Sequence, residues 1–306
     1  KNGDFRSYIN LVEMKTRVLE DGKVVDKPIP DNLMSLAEEP RENIVESVAM
    51  SSEELLEKHF EGIEITYDEI CGGLREGVLN GDLKPVVIGS VLKNIGVRDL
   101  LGMIEMFMPA PNDLKPKVGV NPETGKEESR KTLDNAPFSG YVFKTTIDPF
   151  IGILNYIKVF SGTVKSGQKV YNSTTKETIK INAIGYVRGK EQLDADELQS
   201  GDTGVLIKLD GILTGHTLSD PKNPITYNGP EIPTPTIYVA VKPKQKRDED
   251  KISTALHKLA IEDPSFEYKR NRETAQLLIG GQGMTHINYV LEKMKNMFNV
   301  DVDILE

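Results

Sequence analysis

A single cysteine, Cys71, in 306 residues excludes an internal disulfide framework and suits a reducing compartment. It sits beside Gly72-Gly73 in a helical pattern and reads as an inert buried thiol rather than a nucleophile. Histidine is also sparse. His59, His216, His257 and His286 are never closer than 29 positions, so no metal-ligand spacing exists among them. No window approaches the ~18 consecutive apolar residues of a membrane span, and Lys1-Asn2-Gly3-Asp4 leads into no apolar signal-peptide core. A cytoplasmic protein without a membrane partner is the expectation. The phosphate loop Gly-x-x-x-x-Gly-Lys-Ser/Thr and the guanine-reading Asn-Lys-x-Asp are both missing from the 306 residues. Spacing shows no nucleophile–base pair, no carboxylate dyad and no internal repeat.

What is present divides by charge. Residues 1–107 hold 12 Lys and Arg against 21 Asp and Glu, whereas residues 108–306 hold 26 of each class. Twelve of the acids fall within residues 31–69, where Arg41 and Lys58 are the only such cations. One end of the chain is therefore an acidic surface and the remainder is balanced, which excludes a generic nucleic-acid binder.

The apolar pattern then sets out the elements. Residues 8–19 have strand character, and Asp21-Gly22 before Lys23-Val24-Val25 is a hairpin turn signal. Asp31 is the expected N-cap of a helix over 33–38, with a second helix over 41–50. Ser51-Ser52-Glu53-Glu54 opens a third, and Thr66 with Glu69 three residues on is the capping box of a fourth. Next comes an apolar run, Pro85-Val86-Val87-Ile88, expected as a short buried strand. Gly89-Ser90-Val91-Leu92-Lys93-Asn94 and a helix over 96–108 follow it. Strand, tight turn and helix is how an α/β sheet offers backbone amides to a ligand at its carboxyl edge.

Pro109-Ala110-Pro111 stops that helix, and residues 112–135 are polar enough to read as a linker. From Phe138 short β segments at 139–146, 152–160, 168–172, 179–187 and 203–209 predict an antiparallel barrel of about 100 residues. Prolines 221 to 235 mark a second linker. Strand, helix, strand, strand, helix, strand over 236–304 is the βαββαβ order of a ferredoxin-like domain. Leu305-Glu306 reads either as a native end or as an expression-vector scar.

Three stretches carry candidate chemistry. Gly280-Gly281-Gln282-Gly283 ahead of a helix could cradle an anion, although a tight strand-to-helix turn is preferred for so short a motif. Lys242, Lys244, Lys246 and Arg247 put four cations in six residues, either a solvated strand end or a phosphate contact. The acidic helices are either a solvated face or a surface for a basic protein.

Across the chain run Gly89-Ser90-Val91-Leu92-Lys93-Asn94, Asp148-Pro149-Phe150, Val159-Phe160-Ser161-Gly162-Thr163 and Ser200-Gly201-Asp202. Glu262-Asp263-Pro264-Ser265-Phe266 and Gly281-Gln282-Gly283-x-x-His286 follow in order. In this sequence of segments the chain resembles translation elongation factor G, a family of translational GTPases. The resemblance implies a multidomain fold, α/β plus all-β plus α+β. Residues 1–107 would be the C-terminal part of a P-loop GTPase domain with its inserted helical subdomain. Residues 108–228 would be the β-barrel domain II, with 108–136 as linker, and 229–306 the ferredoxin-like domain III.

It further implies that Ser90, Val91 and Leu92 form the loop approaching the guanine ring, with the phosphate loop and switches upstream of Lys1. GTP or GDP with Mg²⁺ would belong to the full-length parent, with none expected in this chain and no residue here catalytic. The family hydrolyses GTP on the ribosome to drive translocation, and some members split ribosomes instead. The implied partners are the small subunit and its rRNA, with Lys242, Lys244, Lys246 and Arg247 as contact candidates. The ribosomal stalk protein would meet Glu42, Glu46 and Glu53, and the protein would be a monomer.

Gly281-Gln282-Gly283-Met284-Thr285-His286 lacks the Glu of the usual Gly-Met-Gly-Glu-Leu-His. Val187-Arg188-Gly189-Lys190-Glu191-Gln192 stands where an Ala-Asn-Lys-Arg-Glu segment is common. Both features are similar to the elongation-factor-G-like paralogues. A non-enzymatic ribosome-binding protein of the same modules, or a tetracycline ribosome-protection protein, are the alternatives.

Overall fold

The computed structural model describes residues 5–148, 151–189 and 191–305. Of the residues singled out above, Lys1 to Asp4, Pro149, Phe150, Lys190 and Glu306 therefore lie outside the described set, as does the side chain of Lys246. The chain forms two compact units, Lys1–Asp113 and Leu114–Glu306. Among the described residues no helix is long and apolar enough to cross a membrane.

In the first unit β1 (Ser7–Asn10), β2 (Lys15–Glu20) and β3 (Lys23–Lys27) make an antiparallel sheet in that order. The single strand expected over 8–19 is broken at 11–14. Asn10 Oδ1 accepts hydrogen bonds from the amides of Val12 (3.0 Å) and Glu13 (3.1 Å) and so folds a turn there. Asp21 and Gly22 both hold positive φ, 49° and 77°, the backbone a two-residue hairpin needs.

The two helices expected over 33–50 are one, α1 (Asp31–Ala49), with Pro40 inside it and Pro30 rather than Asp31 at its N-cap. An interior proline removes a donor and costs ~3 kcal/mol or more. Tertiary packing offsets this. Val48 and Ala49 are buried with Leu55, Ile65 and Ile70, and Arg41 donates to the carbonyls of Leu11 (2.9 Å) and Val12 (3.0 Å). α2 (Glu53–Phe60) follows, then α3 (Tyr67–Asn80). The α3 capping box forms as expected. Thr66 Oγ1 accepts from the Glu69 amide (3.4 Å), and Glu69 Oε2 accepts from the Thr66 amide (2.8 Å). Gly81, left-handed at φ 84°, ends it.

Pro85–Ile88 is not a buried strand. It has no regular secondary structure and joins no described sheet, with Val86 88% and Ile88 56% exposed. Strand character needs a neighbour to satisfy the ladder, and the three-stranded sheet does not supply one. α4 (Val97–Phe107) follows the loop.

The second unit opens with a hairpin inside what reads as linker, β4 (Lys117–Val120) and β5 (Glu127–Arg130). Asn121 caps its turn, accepting from the amides of Glu123 (2.9 Å) and Thr124 (3.2 Å). The barrel strands are β6 (Ser139–Asp148), β7 (Gly152–Ser161), β8 (Val164–Lys165), β9 (Lys169–Asn172), β10 (Glu177–Lys180) and β11 (Ala183–Arg188). They continue through β12 (Glu191–Ala195), β13 (Glu197–Leu198), β14 (Thr203–Ile207) and β15 (Thr217–Ser219). Eight pair antiparallel in the order β10-β9-β15-β6-β7-β14-β11-β12, around a core that includes Val142, Ile157, Val170, Leu206 and Leu218. Ile181 and Asn182 split the expected 179–187 strand into β10 and β11.

Domain III runs β16 (Ile237–Pro243), α5 (Glu249–Glu262), β17 (Glu267–Arg270), β18 (Leu277–Gly281), α6 (Met284–Phe298) and β19 (Val302–Leu305). The sheet order β17-β18-β16-β19 is ferredoxin-like. The apolar positions at i, i+4 and i+7, such as Ile252, Leu256 and Leu259 of α5, are buried with Ile287, Val290 and Met294 of α6.

Replacing Thr66 with Ala removes the side-chain acceptor that starts α3 and should lower stability by about 1 kcal/mol. Urea unfolding followed by circular dichroism measures it; an unchanged midpoint would mean the cap carries no load.

Candidate functional site

The loop after Ile88 closes on itself. Ser90 N–H donates to Ile95 O (2.8 Å) and Ile95 N–H to Ser90 O (3.0 Å), with one 3₁₀ turn, Val91–Lys93, between them. Asn94 is left-handed at φ 53° and Gly96 at φ 76°. A Cβ on Gly89 would lie 2.7 Å from Ile95 O, so the approach of the two arms requires glycine. Val91 and Leu92 turn their side chains to solvent.

An ion-pair network anchors the base of this loop. Asp99, in the first turn of α4, accepts from Tyr8 Oη and lies 3.4 Å from Arg17 Nε. Arg17, with its side chain only 8% exposed, also pairs with Glu13 (2.7 Å) and Asp26 (2.5 Å). Burial, reinforced by Asp99, pushes the Tyr8 hydroxyl well above its ordinary value, so it stays a donor. A polar cavity of about 270 Å³ adjoins these residues and Asn94.

Ser90, Val91 and Leu92 are therefore held in one shape, but they are one wall. The Ser90 amide is already bonded to Ile95. The sequence also lacks both the phosphate loop and the guanine-reading tetrapeptide. The residues present supply neither the phosphate-holding nor the guanine-reading groups that GTP or GDP with Mg²⁺ would need.

The cationic segment separates into unlike parts. Lys244 Nζ is clamped by Asp301 (3.2 Å) and Asp303 (3.9 Å), and Asp301 also takes Lys295 (3.2 Å). The hydrogen bond from Lys244, then that from Lys295, holds the Asp301 carboxyl below the usual range. Lys242 stands exposed near the end of β16, and Arg247 is exposed with Asp248 Oδ1 at the 4.0 Å limit of an ion pair.

The Gly280–Gly283 turn is engaged from within. His286 Nδ1 accepts from the Gln282 amide (3.1 Å), and its Nε2 bonds Asp263 Oδ2 (2.9 Å). Asp263 Oδ1 accepts from the amide (2.9 Å) and hydroxyl (2.6 Å) of Ser265. With both ring nitrogens occupied, Asp263, His286 and Ser265 brace the turn rather than activate a nucleophile. Gln282 Nε2 donates to the carbonyls of Pro233 (3.2 Å) and Thr234 (2.8 Å), fixing the approach to domain III.

Glu42 and Glu46 of α1 and Glu53 of α2 are all exposed. Glu42 and Glu46 converge with His59, a group that Glu53 does not join.

Sequence reasoning missed Glu262. Its side chain, 8% exposed, accepts from the Ile147 amide of β6 (2.7 Å) through Oε1, and Oε2 lies 2.7 Å from Lys293 Nζ of α6. That contact is an ion pair. Nothing local to Glu262 indicates a partner more than a hundred residues earlier.

Burial raises the Asp263 carboxyl, yet the two Ser265 bonds and His286 outweigh it and leave it lowered. A depressed carboxylate stabilises the fold above its unfolded value, about 3.9, and that stability is lost as pH falls through the lower folded value. Asp263→Asn should flatten the acid limb of thermal stability below about pH 5. An unaltered limb would remove Asp263 from this role.

Residues 137–220 match elongation factor G domain 2, and residues 232–306 match elongation factor G, domain III. The whole chain also aligns with a crystal structure of a protein from Thermus thermophilus, at a TM-score of 0.82 and 27% identity. The chain spans 43% of the length of that protein. The barrel and the ferredoxin-like domain fall on the two matched segments, which together exceed half of the 306 residues, and the chain belongs to the elongation factor G family of translation factors.

Proposed function

We propose that this chain is part of a ribosome-associated translational GTPase of the elongation-factor-G-like kind, coupling GTP hydrolysis to translocation or to ribosome recycling. The observation that carries the reading is the half-built site. Ser90–Leu92 is a pre-formed loop, and the apolar run ahead of it is exposed although its composition is that of a sheet interior. In the proposal, residues 85–88 pair with a sheet supplied by the rest of the GTPase domain, which also brings the phosphate and Mg²⁺ ligands. Domains II and III meet the small subunit and its rRNA, the acidic helices face the basic stalk protein, and the protein works in the cytoplasm. The altered Gly281–His286 motif favours a specialised paralogue over the housekeeping translocase.

A second reading, a ribosome-binding protein without nucleotide chemistry, is favoured by the lack of the phosphate loop and of Asn-Lys-x-Asp in this sequence. Ribosome-stimulated GTP hydrolysis by the full-length protein separates the two.

Calorimetric titration of this chain with GTP or GDP should give no saturable heat; micromolar binding would show that the loop is part of a complete site. Lys242→Glu with Arg247→Glu should weaken ribosome co-sedimentation and flatten its salt dependence by roughly one unit of log–log slope per lost phosphate contact. Lys244→Glu should do less, because Asp301 and Asp303 already neutralise that ammonium. An effect of Lys244→Glu as large as that of the double variant would reject this division of the segment.

A further inference from the structure

A cleft of about 610 Å³ lies between the barrel and domain III, inside the second unit. The barrel contributes Ile147 of β6, Ile153 of β7 and Ile212 of the loop after β14. Domain III contributes Ile261 of α5 and Phe298 at the end of α6. Sites for small molecules span roughly 300–1,000 Å³, favour domain interfaces, and are apolar with a few well-placed polar groups. The cleft has the size, the place and the apolar lining.

Four charged or titratable side chains line it as well, and they are not equally available. His257 Nδ1 lies 3.4 Å from the Tyr268 hydroxyl, and Asp148 Oδ1 accepts from the Ile151 amide (2.9 Å). Lys258 and Asp210 remain. The Lys258 ammonium sits over the Phe298 ring, 5.5 Å from its centroid, and has no carboxylate partner among the described residues. Asp210 has neither a hydrogen bond nor an ion pair there. One unpaired cation therefore comes from domain III and one unpaired anion from the barrel.

That arrangement selects among ligands. A purely apolar molecule would press hydrocarbon against both charges and strip their water without replacing it. A simple anion would satisfy Lys258 and bring a like charge towards Asp210, and a simple cation would do the reverse. A molecule with both charges and an apolar body satisfies all three features. We infer that the cleft binds a small apolar zwitterion of the short-peptide class. Its carboxylate pairs with Lys258, its ammonium with Asp210, and its side chains lie against Ile147, Ile153, Ile212 and Phe298.

Such a ligand touches both domains. Ile147 belongs to the cleft through its side chain, while its amide donates to Glu262, the residue after Ile261 on α5. Occupancy would thus add a second tie beside the Glu262 contact and oppose separation of α5 from β6. The site uses neither the Ser90 loop nor the cationic segment, so it stands whether or not the ribosomal reading holds.

The test is calorimetric titration of this chain with leucyl-phenylalanine, its N-acetyl form and its C-terminal amide. Amide hydrogen exchange at Ile147 is followed in parallel. The free dipeptide should saturate the protein at one equivalent and slow exchange at Ile147. Each blocked form should bind at least about tenfold more weakly, the scale of one lost charge-assisted hydrogen bond. Lys258→Met should weaken the dipeptide to the same extent yet leave the affinity for the amide unchanged. Asp210→Asn should do the same with respect to the N-acetyl form. Heat that fails to saturate at millimolar dipeptide, equal affinity for the three compounds, or binding untouched by either substitution would overturn the assignment.

Discussion

The carboxylate of Glu262 is the point at which the barrel and domain III become one body. A charge withdrawn from water is costly unless it is paired, and breaking such a pair from one side typically costs about 3–5 kcal/mol. Glu262 meets that condition only when the Ile147 amide on β6 and the Lys293 ammonium on α6 are both present. The residue therefore rewards a single relative placement of strand β6, helix α5 and helix α6. Hydroxyl contacts at the other end of β6 act similarly. Ser139 Oγ lies 2.7 Å from both Ser161 Oγ and Tyr227 Oη, so the chain leaving the barrel is tied to the strand that begins it. Between these buried polar anchors, apolar packing supplies stability and the polar pairs specify arrangement.

How far the fold could be read beforehand depended on whether the deciding force was local. The α3 capping box, the Asp21-Gly22 hairpin and all six elements of domain III follow from residues within a few positions of one another. Pro40 misled because its local cost is outweighed by burial of Val48 and Ala49, which only the assembled helical layer provides. Pro85–Ile88 misled in the opposite direction, since its composition anticipates a sheet that is not among the described strands. The β4–β5 hairpin has only four residues in each strand, with Val118 and Val120 its only large apolar side chains, so its signal lay mainly in Asn121 and Gly125.

The candidate site was legible in the same partial way. Ser90–Leu92 was recognisable as a loop presented after an apolar run, and its closure by the Ser90–Ile95 pair is a local event. Its anchoring by Arg17 and Asp99 was not, because those residues are far apart in the chain and ordinary in type. Charge counting also overstated the basic segment. Lys244 contributes to the count, yet β19 and the turn before it return two aspartates to the same spot. Linear charge density and surface potential are different quantities whenever strands bring distant acids alongside.

The hairpin at the barrel's entrance has a mechanical meaning. Val120 and Thr226 exchange both backbone hydrogen bonds, each 2.8 Å, so the segment entering the barrel is laced to the segment leaving it. Tension applied along the polypeptide across this domain would load those two bonds, and the Tyr227–Ser139 contact behind them, before it reached the interior strands. The barrel is thus spliced into the chain as a closed link, shielded from force transmitted between its neighbours.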